Sequence, residues 1–158
     1  MPSYKAPLRD IHFVVNELLD SEAVYQTLPA YQEATPDLMA AIIEEGAKFS
    51  ENVLSPLNQS GDEEGCTWSE EGVKTPEGFA EAYRQYVEGG WPALSADTEF
   101  GGQGMPNMLG SVLNEMVGTA NWSWLMYPGL SHGCIKTLEA HGSPEQKARY
   151  LPKLIAGE

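Results

Sequence analysis

Helix punctuation constrains this chain more than any other feature. Thr35-Pro36, Thr75-Pro76 and Ser143-Pro144 each set a hydroxyl-bearing residue ahead of a proline, and apolar residues at helical spacing follow each pair. A hydroxyl at the cap accepts from a free first-turn N–H, and proline at the first helical position loses no hydrogen bond. Alternation of apolar and polar residues never lasts beyond a few positions, so no strand series is expected. The fold class is therefore all-α: an irregular bundle of about six helices.

The elements follow from spacing. Ile11, Val14, Val15, Leu18 and Leu19 form one stripe, and Asp20-Ser21 can cap a short helix ended by Pro29. A long helix opens at Thr35-Pro36 with the stripe Leu38, Ala41, Ile42, Phe49, Val53 and Leu57, and Pro56 should end it. Residues 58–75 read as a loop, with a short extended piece around Thr67-Trp68. Thr75-Pro76 should restart a helix whose buried face is Phe79, Ala82, Tyr83, Tyr86 and Val87, and Gly89-Gly90 should stop it. Pro106 opens a helix whose apolar stripe is wide enough to be buried on more than one side. Asn121 can end that helix or cap the next. Pro128-Gly129 should kink or break the apolar run from Trp122 to Ala140. Ser143 with Gln146 makes a capping box for a last helix toward Ile155.

Charge excludes several function classes. The 158 residues carry a formal net charge of −14, which rules against a nucleic-acid backbone binder and against docking on an anionic membrane. No stretch is long and apolar enough to insert into a membrane. Two cysteines, Cys66 and Cys134, are too few for a disulfide scaffold. Together with a start that lacks a signal segment, they lead to the expectation of a cytoplasmic protein. The acidity is concentrated in residues 1–104, whereas residues 105–158 carry four basic and four acidic groups. That neutral final third is also the most apolar, and it is where buried or partner-facing surface is expected.

No complete catalytic constellation is visible. Phe100-Gly101-Gly102-Gln103-Gly104 ahead of a helix could cradle a phosphate, but composition favours a tight loop where backbones pass closely. His132, Cys134 and His141 do not supply a zinc ligand set, so no metal is expected. Glu115 reads as a helix-surface carboxylate. Trp122, Trp124, Met126 and Tyr127 either fill a core or line an apolar cleft, and periodicity favours the core.

Two motifs carry a family resemblance. Gly89-Gly90-Trp91-Pro92-Ala93-Leu94, followed by Glu99-Phe100-Gly101-Gly102-Gln103-Gly104, resembles the G-x-P-x-x-x-G-G-x-G loop of flavin-dependent acyl-CoA dehydrogenases. His141-Gly142-Ser143-Pro144-Glu145-Gln146-Lys147, then Tyr150-Leu151-Pro152-Lys153-Leu154 and Gly157-Glu158, resembles that family's G-x-x-E-Q-K-x-x-Y-L-P-x-L-x-x-G-E segment. The resemblance covers residues 36–158, as an N-terminal helical domain. Residues 1–35 resemble the helical extension of longer members, a group that includes enzymes acting on methylthiopropionyl-CoA.

The resemblance implies a parent enzyme that oxidises an acyl-CoA to the 2,3-enoyl-CoA. A glutamate abstracts the alpha proton and a beta hydride passes to FAD. That glutamate and much of the flavin contact belong to a C-terminal helical domain and a β-domain absent from this sequence. Hence no catalytic residue is expected in this chain, no FAD is expected bound to it, and it should be inactive alone. The parent's partners would be the acyl-CoA substrate and an electron-transfer acceptor. This domain would supply one wall of the acyl pocket, at Leu125, Met126 and Gly129, with Trp122, Trp124 and Tyr127 beside them. Pro128 departs from the family pattern and bears on chain-length preference. Without the other domains, the apolar face within residues 105–135 should be exposed and drive self-association. The alternative function is a stand-alone acidic helical module that works by binding other proteins.

Overall fold

A computed structural model describes residues 3–158. It is all-α apart from one small hairpin. The α-helices are α1 (Leu8–His12), α2 (Ser21–Gln26), α3 (Pro36–Phe49), α4 (Pro56–Glu64), α5 (Phe79–Glu88), α6 (Asn107–Ala120), α7 (Trp122–His141) and α8 (Pro144–Ile155). Between α4 and α5, β1 (Thr67–Ser69) pairs antiparallel with β2 (Gly72–Lys74), with Trp68 opposite Val73. The extended piece expected at Thr67-Trp68 is the first strand of this hairpin.

The core is built where α3 crosses α6. Met39 and Ile43 of α3 meet Leu109, Leu113, Met116 and Val117 of α6, all buried. The approach is close because Gly46 faces α6: a Cβ there would lie 3.0 Å from Leu113 and Met116. The buried stripe of α3 is thus rotated from the expected one, with Met39 and Ile43 inside and Leu38 and Ala41 outside. Both phases satisfy helical spacing, and the packing of α6 against Gly46 selects one.

Pro56 does not end the helical path. Residues Ser50–Leu54 form a π-turn, with the Ser55 N–H bonded to the Ser50 carbonyl at 2.9 Å, and α4 continues from Pro56. The wider turn gives the proline ring room that an α-turn would deny. The N-terminal segment is stitched to this turn: Glu51 accepts from Lys5 Nζ at 2.6 Å and from the Ala6 N–H at 2.9 Å. The lysine bond and the amide bond together hold the Glu51 carboxyl below the usual range.

In the N-terminal extension only Ile11 and Val15 of the expected stripe are buried, and they join the main core. Val14, Leu18 and Leu19 are exposed. A second π-turn over Phe13–Leu18 changes the register, and Asp20, at φ +46°, turns the chain away before another turn can reach α3.

The helix after the hairpin starts later than expected. Thr75-Pro76 does not cap it; α5 begins at Phe79 behind Gly78, which sits at φ +85° with no side-chain cap. Gly78 tolerates that left-handed conformation without a Cβ penalty. Upstream, the Glu77 N–H is taken by the Glu64 carboxylate at 2.8 Å, which fixes the chain before the helix. At the other end of the chain, the capping box of α8 is present, with both the Ser143 and Gln146 bonds formed. Leu151 and Ile155 of α8 pack with Ala96 and Ile135 in a second, smaller cluster.

Candidate functional site

The candidate site is the outer face of α7, and Asn121 sets its position. The Asn121 carboxamide oxygen accepts from the Trp124 N–H at 3.0 Å, capping the helix, while its Nδ2 donates to the Leu54 carbonyl at 3.3 Å. One buried amide therefore joins the start of α7 to the π-turn. Trp124 is fully buried between Phe49 and Tyr86, and its indole N–H donates to the Phe79 carbonyl at 3.1 Å. Pro128 and Ile135 bury on the same side. The expected kink or break at Pro128-Gly129 does not interrupt α7, which runs as one helix of 20 residues. The proline lies on the packed face, where contacts hold the helix across one lost hydrogen bond.

Pinning that face leaves the opposite one outward. Trp122 is 67% exposed, Met126 48% and Leu130 71%, and Gly129 and Gly133 have nothing within 4 Å of a would-be Cβ. From Trp122 to Cys134 the helix carries no Asp, Glu, Lys or Arg. Met126, Tyr127 and Leu130 form one bank of an open apolar groove of about 530 Å³, and Phe79, Ala80 and Tyr83 of α5 form the other. The rings of Phe79 and Tyr127 meet edge to face at 6.2 Å. The Tyr127 hydroxyl lies 3.8 Å from the Cys66 thiol, and burial, then this contact, raise its pKa. No charged side chain lines the groove.

The aromatic and thioether cluster thus divides. Trp124 is core, as periodicity favours, whereas Met126 and Tyr127 line a cleft. Of the expected wall residues, Met126 stands in the groove. Leu125 is half-buried and turned toward α6, where it packs at Gly118. Gly129 lies on the exposed surface beside the groove. Sequence reasoning did not assign Phe79, Ala80, Tyr83 or Leu130 to the site. Phe79 and Tyr83 stand one turn apart, but they read equally well as ordinary core positions.

The other candidates are structural. The glycine-rich loop is a tight backbone crossing: the N–H groups of Gly102, Gln103, Gly104 and Met105 donate to the carbonyls of Asp97, Ala93, Ala96 and Leu94 at 2.8–3.0 Å. A Cβ on Gly102 would fall 2.0 Å from the Ala96 oxygen, so only glycine fits there. Those N–H groups are spent within the loop, and no phosphate or flavin contact can be drawn from them. His132 is half-buried, and burial, then Lys136, lower its pKa against an opposing effect of Glu139. No group of His, Cys, Asp and Glu able to hold a metal is found among the described residues. Glu115 is an exposed helix-surface residue. No helix of the described residues is long and apolar enough to cross a membrane.

Comparison with known proteins places this geometry. The family model described as "Acyl-CoA dehydrogenase, N-terminal domain" matches residues 39–158. A 3-methylmercaptopropionyl-CoA dehydrogenase from Ruegeria pomeroyi is 39% identical over 98% of this chain and 26% of its own length. A butyryl-CoA dehydrogenase from Syntrophomonas wolfei is 31% identical over 99% of this chain and 26% of its own. A mitochondrial isovaleryl-CoA dehydrogenase from Oryza sativa is 46% identical over 41% of this chain and 16% of its own. The chain spans about a quarter of the length of the curated relatives that match it from end to end.

Proposed function

The chain belongs to the acyl-CoA dehydrogenase family as an N-terminal domain, and on that premise we propose that it forms one wall of the acyl pocket in a flavin-dependent acyl-CoA dehydrogenase. The whole enzyme converts an acyl-CoA to the 2,3-enoyl-CoA by alpha-proton abstraction. FAD, held by parts of the enzyme beyond this chain, supplies the hydride acceptor. The base also lies beyond this chain, which is inactive alone. The electron leaves for an external acceptor in a cytoplasmic setting.

One observation carries the reading: the outward face of α7 is apolar, uncharged and unobstructed while the helix beneath it is rigidly pinned. A thioester chain awaiting proton and hydride removal must be held in register and kept from water. Met126 and Leu130 offer it an apolar bank. Gly129 leaves a lane beside them into which an acyl chain can lie against the helix backbone. Trp124, Asn121 and Pro128 fix that bank from the inside. Leu125, at the α6 junction, closes the end of the lane. The same apolar face gives the isolated chain a surface for self-association.

The test is to read the coding DNA beyond codon 158 and assay the full gene product. The reading expects a β-domain and a C-terminal glutamate-bearing domain, bound flavin, and dye reduction that depends on acyl-CoA. A stop codon after Glu158, or a full product that holds flavin but ignores acyl-CoA, would overturn it.

A further inference from the structure

Behind the candidate wall, on the buried side of α7, lies a small cavity of about 20 Å³ that the proposed function does not use. Five polar side chains converge on it from four parts of the fold: Tyr86 of α5, Ser95 of the following loop, Asn114 of α6, and Ser131 and His132 of α7. Tyr86 is only 7% exposed. Burial, then Tyr83, push its hydroxyl well above its ordinary pKa, so it stays a donor. Among the described residues, every side-chain nitrogen or oxygen fully shut away has a hydrogen-bond partner. The Tyr86 hydroxyl bonds to no protein group among them, so it opens onto the free space that the ring lines, which is this cavity.

We propose that the cavity binds one ordered water, joining the Tyr86 hydroxyl to His132 and Asn114 and tying α5, α6 and α7 together behind the outer face. Size and chemistry agree. A single water needs about 10–15 Å³ on this measure and typically makes about three hydrogen bonds, whereas apolar cavities of similar size stay dry. The space admits nothing larger than water. Tyr86 supplies a donor, Asn114 both donors and an acceptor, and the imidazole of His132, held neutral by its burial, one donor and one acceptor. A hydroxyl left buried without a partner costs about 1–3 kcal/mol, which the water relieves. The inference does not depend on the acyl-CoA reading, because it concerns the inner side of the helix.

Oxygen-17 relaxation dispersion on the 158-residue chain counts long-lived waters. The wild type should show one more than Tyr86→Phe, a change that keeps the ring and removes the hydroxyl. Asn114→Leu, which fills the space, should lose the same water and serves if Tyr86→Phe fails to fold. Water-selective NMR should in addition give persistent water contacts at the His132 ring in the wild type alone. Equal counts in wild type and both variants, or a dry His132 in the wild type, would overturn the proposal.

Discussion

Replacing Asn121 tests whether one buried amide positions the whole outer helix. In Asn121→Ala two bonds go together. Loss of the cap to Trp124 costs about 1 kcal/mol. The Leu54 carbonyl, fully buried, loses its Nδ2 donor, which adds about 1–3 kcal/mol. The sum of about 2–4 kcal/mol is a large share of the 5–15 kcal/mol typical of a domain. Asn121→Ser separates the two effects. Serine still caps, but its short side chain does not span to Leu54, so about 1 kcal/mol should return. Urea unfolding followed by tryptophan fluorescence and circular dichroism reads both variants, with the slope unchanged if only the native state is affected. A chain of this size should lose about 2–4 °C in Tm per kcal/mol. An alanine variant within about 0.5 kcal/mol of wild type would refute the reasoning, as would a serine variant no better than alanine.

Three further outcomes are expected. Gly102→Ala should unfold the chain or lower its midpoint severely by circular dichroism, because backbone at Ala96 must move to admit the methyl; a wild-type melt would contradict the crossing geometry. His132 has a folded pKa below its ordinary 6.5, so the unfolded chain binds more protons in that window; its contribution is full above about pH 6.5 and is lost as pH falls toward the folded value. The drop in urea midpoint from pH 7.5 to 5.5 should therefore shrink in His132→Gln, and an equal drop in both proteins would count against a buried neutral imidazole. Finally, the isolated chain should bind a hydrophobic dye and scatter as more than a monomer, and Met126→Glu with Leu130→Glu should abolish both; a strictly monomeric, dye-silent wild type would remove the exposed face from the account.

Several elements were legible because their signals are local. The Ser143 capping box, the Asn121 cap and the wide apolar stripe of α6 all depend on side chains within one or two turns. Pro56 misled because its tolerance comes from the π-turn before it, which the packing of residues 50–55 on the N-terminal segment supports and no local spacing announces. Thr75-Pro76 misled because Glu64, more than ten residues away, claims the amide that a cap would have needed to leave free. Leu38 and Met39 compete for the same buried phase of α3, and Gly46 decides between them only once α6 is in place. At the site, the resemblance led to Met126 and Gly129, but the bank from Phe79, Ala80 and Tyr83 arises from the pairing of α5 with α7. Periodicity within either helix cannot show that pairing.

The central claim is that an acyl chain lies along the outer face of α7, and Gly129→Leu in the full gene product tests it most directly. The leucine projects from a position with open space around it, so folding and flavin content should match wild type. Acyl-CoA-dependent flavin bleaching should then fall at least tenfold in kcat/KM, a loss of about 1.4 kcal/mol in transition-state binding, and the loss should grow with acyl length. Equal rates for wild type and variant across acyl lengths would contradict the account and place the acyl chain elsewhere.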